Sequence, residues 1–168
     1  MYPQVIALAA VLAFAPPVSQ ETDAYDGCAF ISAAEVEAVM GAPLRGRPRI
    51  VRRTIMDMEN YGCTYRSQDY TVEVRLETGR SKEGLDMYLK ALGATVKGTT
   101  SKALQPVNGI GERAWWGPVC ETNGMLHIVR GTDVLWVQTY GKTPGAGSLE
   151  KTRAIADKVF TQYQKVRK

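Results

Sequence analysis

The sequence predicts an α+β fold, a mainly antiparallel, curved sheet with helices on one face, and three observations carry that expectation. Ser32-Ala33-Ala34-Glu35 forms a capping box ahead of an apolar stripe at Val36, Val39 and Met40. Tyr70, Val72, Val74 and Leu76 alternate with Thr71, Glu73, Arg75 and Glu77, the period of a strand with one buried and one wet face. The order helix, three strands, helix, three strands, helix makes residues 32 to 77 and 81 to 140 a pseudo-repeat, closed by a C-terminal helix.

Taken in order, the first helix stops at Gly41 and Pro43, a left-handed cap position followed by a residue that cannot continue the helix. Residues from Arg47 to Asp57 read as an extended sheet edge, and Cys63 to Arg66 as a second strand. Ser67-Gln68-Asp69 forms the hairpin into the third. A second helix starts near Ser81, carries Leu85, Tyr88, Leu89 and Leu92, and is expected to end before Gly93. Arg113 to Trp116, Met125 to Arg130 and Val134 to Tyr140 supply three more strands, the last two joined at Gly131-Thr132-Asp133. The closing helix from Ser148 places Ala156, Val159, Phe160 and Tyr163 on one side.

Residues 1 to 20 read as a signal peptide. The apolar run from Val5 to Ala15 ends at Pro16-Pro17 and precedes Val18-Ser19-Gln20. It has the length of a secretory core and falls short of the roughly 20 residues that span a bilayer, so no transmembrane anchor is expected. Residues 21 to 168 then form a single exported domain, periplasmic or secreted, with the formal charge of +4 intact. The compartment is oxidising, which bears on Cys28, Cys63 and Cys120. Cys28 just before the first helix and Cys63 opening a strand favour that pair, which would contribute roughly 3 to 4 kcal/mol in the chain-entropy picture. Cys63 with Cys120 is the competing pairing.

Cys28-Ala29-Phe30-Ile31, the helix ending Val39-Met40-Gly41, Gly62-Cys63-Thr64-Tyr65 and Val107-Asn108-Gly109-Ile110-Gly111-Glu112-Arg113-Ala114-Trp115 resemble small exported bacterial domains of unknown function, often lipoproteins. The resemblance spans most of the chain beyond the leader. It implies a disulfide between the first two cysteines and no assigned chemistry. This chain lacks a lipidation cysteine and carries Cys120 in addition.

Catalytic and metal signatures do not assemble. Gly109-Ile110-Gly111-Glu112-Arg113-Ala114 has dinucleotide-fingerprint spacing, but a strand and turn follow it where a helix is required. Ser148-Leu149-Glu150-Lys151 has S-x-x-K spacing without its companion motifs and reads as a helix cap. One histidine, His127, and no C-x-x-C leave no usual zinc site. The residue types that remain offer a cuprous set of Met56, Met58, Met125 and His127, and a Cys120 and His127 nucleophilic pair that lacks a third orienting group. No metal and no cofactor are therefore expected.

Two surface features remain as binding candidates. Arg45 to Arg53 holds five arginines in nine residues, and in an extended chain Arg47, Arg49 and Arg53 project from one side. Guanidinium groups pair bidentately with phosphate and carboxylate, so an anionic envelope component or a protein partner fits, and nucleic acid does not suit the compartment. The second feature is aromatic: Trp115 and Trp116 point to opposite strand faces, and Trp136 offers a third ring. The expected function is a non-enzymatic binding or interaction module. An exported enzyme using Asp57 and Glu59, or an inert envelope component, is the alternative.

Overall fold

A computed structural model describes residues 26–55, 58–100, 103–120 and 122–167, the side chains of 55, 99–100 and 118–120 excepted. After a 3-10 turn at Gly27–Ala29, helix α1 spans Ala33–Met40. Its capping box is complete: the Ser32 hydroxyl accepts from the Glu35 N–H, and the Glu35 carboxylate accepts from the Ser32 N–H. Gly41 ends the helix in the left-handed region at φ 80°.

Strands β1 (Arg49–Ile55), β2 (Met58–Arg66) and β3 (Tyr70–Thr78) form one antiparallel meander. Helix α2 (Lys82–Thr100) and a short β4 (Gln105–Pro106) lead into a second meander, β5 (Arg113–Cys120), β6 (Asn123–Arg130) and β7 (Asp133–Gly141). β3 pairs antiparallel with β7, so the sheet order is β1-β2-β3-β7-β6-β5-β4. The two meanders thus join through their last strands, which is the expected pseudo-repeat. Helix α3 (Leu149–Val166) closes the chain, capped by Ser148.

The main core lies between one sheet face and α1 with α3. Val72, Val74, Leu76, Leu126, Ile128, Leu135 and Val137 meet Val36 and Met40 from α1 and Ile155 and Val159 from α3. Two buried phenols fix the chain running over this core, Tyr65 donating to the Ile31 carbonyl and Tyr70 to that of Ala42, both at 2.6 Å. Cys28 is disulfide-bonded to Cys63, tying the segment before α1 to the middle of β2. Cys63 is therefore not free to pair with Cys120, which sits at the far end of β5.

The expectation of helices on one face holds for α1 and α3. Helix α2 lies on the other face, because β5–β7 are apolar on both sides. Val129 and Val134 alternate with the main-core residues and need a second cover, which Leu85, Tyr88 and Leu89 provide. The helix also runs past Gly93 to Thr100. Val96 is buried against Gly117, and this packing overrides a glycine penalty of about 1 kcal/mol.

Candidate functional site

The second face is covered only in part. Over β1–β3 no described helix covers it, and strand alternation decides what it displays. Residues 49–53 of β1, Thr64 and Arg66 on β2, and Glu73 and Arg75 on β3 line one concavity of about 310 Å³, with Arg49, Val51 and Arg53 sharing a strand face. Arg49 stands beside Thr64, and Thr64 beside Glu73, so β1 and β3 side chains flank the concavity about 10 Å apart.

The charges in this concavity are unbalanced. Among the described residues Glu73 is its one carboxylate, and it is already engaged: Arg75 pairs with it at 3.3 Å and the Tyr140 hydroxyl donates to it at 3.4 Å. The Arg75 guanidinium also lies 5.3 Å from the Trp136 ring centre. Arg49, Arg53 and Arg66 have no ion-pair partner among the described residues. Three exposed guanidinium groups therefore line one hollow with no ion pair to any described carboxylate.

The sequence candidates divide on this geometry. Arg49 and Arg53 line the concavity, whereas Arg47 lies in the bend before β1 and does not line it. Arg52 also borders the concavity, but its guanidinium lies over the Tyr61 ring at 5.4 Å, and Arg45 donates to Gln68 at 2.6 Å. Arg66 and Arg75 escaped the sequence reading. Their alternation within β2 and β3 was legible, but only the inter-strand register aligns them with β1.

Among the aromatics, Trp116 is a core residue and not a surface binding residue. It is 6% exposed in the main core and lies over Gly124, where an added Cβ would stand 1.8 Å from its ring. Trp115 and Trp136 are half-buried on the α2 side and flank His127 in register across β5, β6 and β7. Trp136 packs against the α2 cluster and is the register partner of Arg75, its indole N–H 3.4 Å from Glu77.

His127 itself is 2% exposed, and burial pulls its pKa down to about 4. It is held by Tyr88 and cannot meet the cysteine: Trp115 is its partner on β5, five residues from Cys120 and thus about 17 Å along the strand. The copper set does not assemble either. Met58 on β2 and Met125 on β6 are three strands apart, about 14 Å, while Met56 lies outside the described residues. Asp57 is also outside them, and the Glu59 carboxylate accepts from the Thr54 hydroxyl at 3.0 Å. Gly109 and Gly111 adopt positive φ and lead into β5, so no helix N-terminus follows them. Among the described residues no three histidine, cysteine or acidic side chains gather around one point.

No protein-family model matches this chain, and no curated protein matches it. Among solved structures it is similar to the extracellular domain of PknH from Mycobacterium tuberculosis, with a TM-score of 0.49 and 13% identity. That alignment covers 82% of this chain and 94% of the other.

Proposed function

We propose that this chain is an exported, non-enzymatic binding module that holds an anionic component of the cell envelope on the second sheet face over β1–β3. The observation that carries the reading is the convergence of Arg49, Arg53 and Arg66 on one concavity whose single carboxylate among the described residues, Glu73, is paired with Arg75. Guanidinium groups in that setting recognise phosphate or carboxylate oxygens, and Trp136, beside Arg75, gives a ring for an adjoining sugar or acyl surface. The leader-like residues 1 to 20 and the Cys28–Cys63 disulfide support an oxidising, extracytoplasmic location.

The test is co-sedimentation of the protein with isolated cell-wall material and with vesicles containing anionic phospholipid. Replacing Arg49, Arg53 and Arg66 together by serine removes about 1 kcal/mol per cation near an anionic surface, so binding falls by about two orders of magnitude. Unchanged retention of the triple variant on both materials contradicts the proposal.

A further inference from the structure

A separate groove runs along the C-terminal half of α3, and its chemistry differs from that of the sheet face. Its larger part, about 490 Å³, lies between the Gly109–Glu112 loop and Asp157, Phe160 and Thr161 of α3. Its smaller part, about 290 Å³, continues past the Gly131-Thr132 turn to Tyr163. Glu112 and Arg130 line both parts.

Arg130 is the unusual group here. Its guanidinium lies over the Tyr163 ring at 5.7 Å, and its Nη1 is shut off from solvent without a hydrogen-bond partner. Among the described residues no carboxylate pairs with it. No nearby acid forms an ion pair with it: Glu112 takes one hydrogen bond, from the Gly131 N–H at 3.1 Å, and Asp133 accepts from Tyr163 and pairs with Arg167, each at 2.7 Å. A partly buried guanidinium that no described carboxylate reaches at ion-pair distance is costly, and an oxyanion arriving from the groove offsets that cost.

The rest of the lining narrows the ligand. Glu112 and Asp157 present negative charge to the same cavity, Asp157 being held by Arg153 only at a loose 3.7 Å. Phe160, half-buried, and Ile110 add apolar surface between them. The volume suits a small molecule. We infer that this groove binds a small zwitterion of the amino-acid or short-peptide class. Its carboxylate meets Arg130, its ammonium meets Glu112 and Asp157, and its side chain lies on Phe160.

The experiment is an amide-resolved NMR titration of the full protein with the dipeptide glycyl-L-phenylalanine, its N-acetyl form and its C-terminal amide. Saturable shifts are expected at Gly109, Gly111 and Gly131. The amide and N-acetyl forms, each lacking one charge, should bind at least about tenfold more weakly. Arg130→Gln should abolish the shifts. Thr161→Trp, placed at an exposed position, blocks the groove without disturbing the core and should abolish them too. The triple arginine variant of the sheet face should bind the dipeptide unchanged, which separates this site from that one. Absence of saturable shifts, equal binding of the charge-deleted forms, or undiminished binding by Thr161→Trp overturns the inference.

Discussion

The Tyr88 hydroxyl lies 2.7 Å from Nδ1 of His127, joining α2 to the centre of β6 on the face opposite the main core. Burial raises the phenol's pKa and lowers the imidazole's to about 4, so both groups are neutral at pH 7. Stability therefore depends on acid in a defined window. The unfolded histidine protonates near its ordinary 6.5 while the folded one resists until about 4, so stability is full above 6.5 and falls as pH drops between those values. At about 1.4 kcal/mol per pH unit the loss reaches roughly 3 kcal/mol by pH 4. Urea unfolding across this range, repeated on His127→Gln, checks it. An identical acid slope in the variant contradicts the assignment.

The disulfide between Cys28 and Cys63 closes a loop across 35 positions. Its removal by a Cys28→Ser and Cys63→Ser double change should cost about 3 to 4 kcal/mol, since the unfolded chain regains the freedom the crosslink denies it. Denaturant midpoints of the two forms measure this.

Gly124 has no room for a methyl group beneath Trp116, and the added Cβ would also stand 2.5 Å from the Gly147 carbonyl oxygen. Gly124→Ala should therefore destabilise by about 2 to 3 kcal/mol or prevent folding, with a change in the near-ultraviolet signal of the displaced indole. A variant as stable as the parent contradicts the packing described for the end of β6.

Trp136 carries the Arg75 guanidinium at the wall of the basic concavity. An anion that draws Arg75 toward itself alters the indole's surroundings. Binding of anionic vesicles should then change tryptophan emission, and Trp136→Phe should remove that change while leaving affinity within a few fold. Equal emission changes in both proteins would place the bound anion elsewhere.

Local pattern revealed much of this fold. The capping box at Ser32, the alternation of β3 and the Ser148 cap each depend on residues close in sequence, so they were legible. The extension of α2 through Gly93 was not, because it depends on Val96 reaching Gly117 on a distant strand. The same holds for the second cover over Val129 and Val134: a strand apolar on both faces looks much like a strand apolar on one when only short windows are read.

The candidate site was legible by half. The density of arginine before Ile55 marked β1, and alternation put Arg49 and Arg53 on one side. Arg66 and Arg75 belong to the same site through the register of β1 with β2 and of β2 with β3, which the sequence does not state. Trp116 had the composition of a binding residue but the strand parity of a core residue, and Ala114, two positions before it, is buried on the same side.

The most direct test of the central claim is a hydrogen-exchange footprint of the full protein with and without anionic vesicles or isolated cell-wall polymer. The account expects slowed exchange confined to β1 and to the Arg66–Arg75 segment, weakening as salt is raised, and lost in the variant with serine at positions 49, 53 and 66. Protection lying elsewhere, or an unchanged footprint in that variant, would contradict it.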